Sequence, residues 1–246
     1  MALTDNLVAY WKLDEASGAR ADATGNGRSL TDNGSVGSAT GNISALAADF
    51  TPTAQYLSTT DATVCGTLVS AASWTLAGWV WFDADAYYSV SGCLGASVTG
   101  VRVFRKNTGI WGYQRIAAQM SVSGVNNERE VPVTVAPGSW FYVAVKFDQA
   151  GGLFYARVNS TTTAGVAPPA GSMTAQSSFR IADRGAASAN RMDGRAAHWG
   201  LWSRALTSAE LDSLYNSGAG LDPTASTQAK GLPIIAHYHH AVYGGG

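Results

Sequence analysis

Charge is scarce in this chain of 246 residues: Asp, Glu, Lys and Arg together make up 13%, against about 25% in an ordinary soluble domain. Its surface must therefore be covered by Ser, Thr, Asn, Gly and Ala. The 16 Lys and Arg are offset by 17 Asp and Glu, leaving a net charge of -1. The dense positive surface that a phosphate backbone demands is missing, which excludes nucleic acid as the main partner. No apolar run approaches the roughly 20 residues of a membrane span, so insertion into a bilayer is not expected. Met1 to Asn6 carries no basic segment, and Leu7 to Leu13 is broken by Lys12, so the chain does not read as a secretory precursor. Cysteine is limited to Cys65 and Cys93. One bridge is possible, yet two buried thiols suit a reducing compartment equally well, and the unpaired state is the expected one.

What the chain does have is turns, aromatics and alternation. It holds 28 glycines and 10% Phe, Trp and Tyr. Short runs recur at Leu7–Leu13, Trp74–Phe82, Tyr87–Leu94, Val101–Arg105, Ile110–Met120, Glu130–Val135, Trp140–Phe147, Leu153–Asn159, Phe179–Ile181 and Arg195–Trp202. Each reads as a strand bounded by turn-forming residues such as Thr24-Gly25-Asn26-Gly27 or Asp32-Asn33-Gly34. A dozen or so strands exceed one open sheet and fit two packed antiparallel sheets.

One segment reads as a helix. Thr207 as N-cap and Glu210 three residues on form a capping box, Leu206 and Leu211 a hydrophobic staple, and Gly218 a left-handed stop. Leu211, Leu214 and Tyr215 share a face over roughly ten residues. Beyond it, Asp222 to Gln228 is a polar linker, followed by an extended apolar arm containing Leu232, Ile234, Ile235, Tyr238 and Tyr243. Pro233 disfavours a helix there, so the arm is expected to order against a neighbouring subunit or a particle. The expected organisation is a sandwich over residues 1–221 and a linker with its arm over 222–246.

Several segments together resemble the laminin-G-like, concanavalin A-like jelly-roll domains. They are Leu7 to Gly18 with Asp22 to Gly27, Ser73 to Val80, Trp140 to Asp148 with Leu153 to Asn159, and Met192 to Arg195 with Leu201 to Leu206 and the capped helix. The resemblance implies an all-β jelly-roll sandwich of two antiparallel sheets with one short C-terminal helix, and binding rather than catalysis. It also implies calcium at the rim in many relatives. Asp14, Asp22 and Asn26 fall where relatives supply oxygen, but Ala197-His198 stands where relatives carry an acidic pair. Calcium is therefore a weak expectation, with turn capping the alternative role for Asp14 and Asp22.

Glycosidases of this fold need two carboxylates flanking the scissile bond. Of four glutamates, only Glu128 and Glu130 share a strand face; they lack the accompanying acids of the glycosidase motif, so a solvated strand end is expected and no enzyme. His237, His239 and His240 resemble a zinc tract without the further ligands a tetrahedral site requires, so no metal is expected there. Aromatics remain. Trp11, Trp74, Trp79, Trp81, Trp140, Trp199 and Trp202 suit core positions. Tyr87, Tyr88, Trp111 and Tyr113, flanked by Arg105, Arg115 or Asn107, are the candidate platform for stacking sugars, with Arg115 taken into the candidate set. Two functions are carried forward: a lectin-like virion surface protein, such as a phage capsid decoration or tail-associated protein docked by its arm on a particle or on identical subunits, and a bacterial carbohydrate-binding or adhesion module at the cell surface.

Overall fold

A computed structural model of the full chain describes residues 1–70, 72–94, 100–122, 125–171, 173, 177–183 and 190–225. The arm residues Leu232, Ile234, Ile235, Tyr238 and Tyr243, and the three histidines beside them, lie outside the described residues.

Fifteen strands are described. In chain order they are β1 (Leu7–Trp11), β2 (Thr31–Asn33), β3 (Gly37–Thr40), β4 (Leu46–Phe50), β5 (Tyr56–Thr59), β6 (Trp74–Phe82), β7 (Tyr88–Leu94) and β8 (Gly100–Lys106), then β9 (Arg115–Val122), β10 (Val125–Glu130), β11 (Trp140–Asp148), β12 (Leu153–Val158), β13 (Thr161–Thr162), β14 (Phe179–Ile181) and β15 (Gly194–Trp202). They form two antiparallel sheets. The eight-stranded sheet runs β13-β12-β11-β6-β15-β4-β3, with β1 also paired to β15; the seven-stranded sheet runs β10-β9-β8-β7-β14-β5-β2. The fold is the expected all-β, jelly-roll-type sandwich, and consecutive strands that sit apart in a sheet mark its crossovers.

Alternation builds the core between the sheets. Trp74, Leu76, Val80 and Phe82 of β6 and Phe141, Val143, Val145 and Phe147 of β11 face Val101 and Val103 of β8 and Ile116, Ala118, Met120 and Val122 of β9. The odd residues of β6 point the other way. Ala77 and Trp79, with Tyr142, Ala144, Ala197 and Trp202, form a second apolar layer on the outer face of the eight-stranded sheet. Helix α3 (Ser208–Tyr215) closes that layer with Leu211 and Leu214, each worth about 1.5–3 kcal/mol of transfer free energy at full burial. Both halves of the capping box form: Glu210 N donates to Thr207 Oγ1 at 3.2 Å, and Thr207 N donates to Glu210 Oε2 at 2.8 Å. The helix stops two residues earlier than expected, because Asn216 itself adopts the left-handed conformation (φ 46).

Three readings of the sequence need correction. Helix α1 (Ala62–Val69) was not anticipated; Asp61 caps it, accepting from the amides of Thr63 and Val64, and this outweighs its β-branched composition. Ile110–Met120 is not one strand, since α2 (Thr108–Trp111) turns through left-handed Gly112 before β9 begins at Arg115. Glu130–Val135 is not a strand either: pairing with β9 ends at Glu130. Just past Leu221, Asp222 pairs with Lys12 at 2.9 Å and accepts from Thr224 N at 2.8 Å. Both cysteines are buried and unpaired, with Cys65 of α1 against Cys93 of β7. Contact with Cys65, together with burial, pushes the Cys93 thiol up, which makes it a poor nucleophile.

Candidate functional site on the seven-stranded sheet

The side chains on the outer face of the seven-stranded sheet are set by register. Arg102 stands opposite Gln119 on β9 and Gly92 on β7; Phe104 stands opposite Ala117 and Ser89. Phe104 is buried on this face under its neighbours: the Arg102 guanidinium lies 4.3 Å above its ring centre, and Tyr87 meets it edge-on at 5.8 Å. Tyr87 in turn contacts Trp111, brought alongside by α2, with ring centres 5.2 Å apart. Both of these residues are half-buried. Arg102 is fixed by polar partners. It donates Nε and Nη2 to Gln119 Oε1 at 2.9 and 2.5 Å, and Nη1 to Tyr87 Oη at 3.0 Å.

A charged cluster adjoins this wall. Lys106 Nζ lies 5.6 Å over the Trp111 ring and contacts Glu128 at 2.5 Å and Glu130 at 2.9 Å. Arg115 Nη1 and the Tyr113 hydroxyl both donate to Glu130, at 2.7 and 2.8 Å, and Arg115 stacks over Tyr113 at 4.6 Å. Glu128 and Glu130 share one face, as the strand period requires; on the edge strand β10 they flank Lys106, with Glu128 exposed and Glu130 half-buried. Burial alone would raise Glu130. Hydrogen bonds from Lys106, Arg115 and Tyr113 outweigh it and hold the carboxyl below the usual glutamate range. A glycosidase acid needs the opposite displacement.

Of the five residues expected to form the platform, Tyr87 and Trp111 come together, and Tyr113 and Arg115 sit in the adjoining cluster. Tyr88 does not join them. It points into the core and stacks on Phe82 at 5.9 Å. Arg105, expected as a polar flank, is also internal: Nε and Nη2 donate to Val135 O, and Nη1 to Asp85 Oδ1 and Ala86 O. Asn107 stands at the start of α2 without a side-chain cap bond. Arg102 and Gln119 were missed by sequence reasoning. The signal was present in Val101-Arg102-Val103-Phe104-Arg105, where strict alternation puts Arg105 with the apolar valines and Arg102 opposite them.

Of the two calcium candidates, Asp22 is taken up by local bonding. Asp22 Oδ1 accepts from Tyr10 N, Thr24 N and Thr24 Oγ1, and Oδ2 accepts from Arg28 N, so its carboxylate fastens the first turn to β1. Among the described residues, no three His, Cys, Asp or Glu side chains converge as a metal site, and no helix is long and apolar enough to cross a membrane. A second half-buried aromatic pair, Trp81 and Trp140 (6.0 Å, edge-on), lies on the eight-stranded sheet. There the indole Nε1 of Trp81 donates to Asp83, and Arg195, stacked over Trp81, is paired with Asp49.

No family model and no curated protein matches this chain. Solved structures do. The receptor-binding domain of a botulinum neurotoxin C/D mosaic serotype superposes with a TM-score of 0.67 at 10% identity, over 87% of this chain and 51% of that one. The binding domain of Paraclostridial Mosquitocidal Protein 1 gives 0.69 at 14% identity, over 87% and 52%. A botulinum neurotoxin DC binding domain in complex with rat synaptotagmin II gives 0.66 at 8%, over 88% and 52%. The likeness shows a shared β-sandwich fold, and this chain spans about half the length of those neighbours.

Proposed function

We propose that this chain is a non-enzymatic glycan-binding module whose ligand lies on the outer face of the seven-stranded sheet. The observation that carries the reading is the half-buried Tyr87–Trp111 wall beside the fixed polar pair Arg102–Gln119. A sugar presents an apolar C–H face and a polar rim, so an aromatic ring flanked by oriented donors and acceptors matches both. The implied laminin-G-like relationship and the binding role of the solved neighbours support it; one neighbour's description ties its cell entry to two ganglioside molecules. A glycan array probed with the full chain is the test. Binding to a defined set of saccharides is expected, with Trp111→Ala weakening it about tenfold or more, since a lost stacking contact is worth roughly 1 kcal/mol beyond its buried area. An array without hits, or a Trp111→Ala variant that binds as the parent does, would refute the assignment.

For location we propose the virion-surface role, with residues 223–246 docking on a particle or a second copy; the alternative is the cell-surface module. Light scattering tests docking on a second copy: the full chain is expected to associate, and a chain ending at Ala225 to be folded and monomeric. Equal monomeric masses for both would dispose of self-docking through this segment.

A further inference from the structure

We infer that the glycan taken by this face is acidic, and that Arg102 receives its carboxylate; the inference rests on the glycan-binding reading above. Of the eleven described arginines, nine have a carboxylate within ion-pair reach, and only Arg102 and Arg129 do not. Arg129 is set apart from the wall, opposite Ala118, whose side chain faces the core. Arg102 stands in the middle of it. All its partners are neutral: Gln119 Oε1, Tyr87 Oη and the Phe104 ring.

A guanidinium has five N–H donors in a planar fork, and Arg102 uses three of them, leaving two for a ligand. The fork is already oriented. Gln119 holds Nε and one N–H of Nη2, and Tyr87 one N–H of Nη1, so little side-chain freedom remains to be lost when an anion arrives. The acids of the same face are committed elsewhere, Glu128 and Glu130 to Lys106 and Arg115, and Asp183 to Arg180 and Arg191. Arg180 stands in the same cross-strand row beyond Gly92, but it is paired with Asp183, which leaves Arg102 as the cation of that row without a carboxylate. Tyr87 couples the two functions. Its hydroxyl anchors Arg102 while its ring abuts Trp111, so a pyranose stacked on the aromatic wall brings a ring carboxylate to the free edge of the fork.

Calorimetric titration of the full chain with trigalacturonate and with its carboxyl-reduced, neutral counterpart tests this. Trigalacturonate is expected to bind at least about tenfold more tightly at low salt, and the difference to shrink at high ionic strength. Arg102→Gln should abolish that preference, lowering affinity for trigalacturonate by a larger factor than affinity for the neutral trisaccharide; Arg102→Lys, which keeps the charge and loses the fork, should retain part of it. Unchanged thermal melts for both variants confirm that the sheet is intact. Equal affinity for the two saccharides, or a preference that survives Arg102→Gln, overturns the acidic-ligand inference and leaves the glycan reading standing. Binding of neither saccharide in a chain that also fails the array overturns both.

Discussion

Gly78→Ala is expected to cost about 3 kcal/mol or more of stability, the upper end of what one inserted methyl does to a packed core. Gly78 lies in the middle of β6, between Val143 of β11 on one side and the bulged segment of β15 on the other. The Trp199 indole lies flat against its Cα. A methyl there would fall within 2.6 Å of Cε2 and closer still to Cγ and Cδ2, against an ordinary carbon contact of about 3.5–4.0 Å. Trp199 cannot retreat: it is fully buried, and its indole Nε1 donates to Trp79 O at 3.3 Å. Urea unfolding reads the loss directly. A Gly78→Ala protein within about 0.5 kcal/mol of the parent would show that this contact is not a constraint.

The second large effect is acid sensitivity centred on His198. Its ring is buried, with Nδ1 2.8 Å from Tyr10 Oη and Nε2 2.9 Å from Ser44 Oγ. Burial holds the imidazole neutral and brings its pKa from 6.5 to about 4, although Asp222 and Asp14 pull the other way and Lys12 adds to the fall. The unfolded chain therefore binds a proton that the native state refuses between these two values. Stability is unaffected by this group above pH 6.5, falls as the pH drops toward 4, and loses about 3 kcal/mol across the window. His198 also sits at φ 52 in the bulge of β15, a conformation that Asn tolerates. His198→Asn should accordingly flatten the thermal midpoint between pH 6.5 and 4.5, above the range where most carboxylates titrate. A parent protein whose midpoint is already flat there would refute the assignment.

Much of the fold was legible because local rules and tertiary packing agree. The strand runs around Trp74, Trp140 and Arg195 lie where alternation and turn residues put them. The Thr207–Glu210 box is complete because capping needs only residues three apart. Short elements were not legible, since α1 and α2 begin in segments whose composition favours strands and depend on one cap or one left-handed glycine.

The site was half legible. Aromatic residues near position 87 and in 111–113 could be singled out, but which tyrosine faces solvent depends on a register shift between Ser89 and Ser91 in the β7–β8 pairing. A bulge of one residue reverses every face beyond it, and no local pattern marks it. By itself, the sequence determined a sparsely charged two-sheet sandwich closed by a capped helix, because periodicity and capping act within a few residues of chain. Only the tertiary structure decided that Tyr88 and Arg105 turn inward, that Tyr87 meets Trp111, and that Arg102 is left without an anion. Those outcomes arise within β7–β10, which pair in chain order, so they depend on the register and bulge adopted there, which packing against the other sheet selects and no local pattern marks.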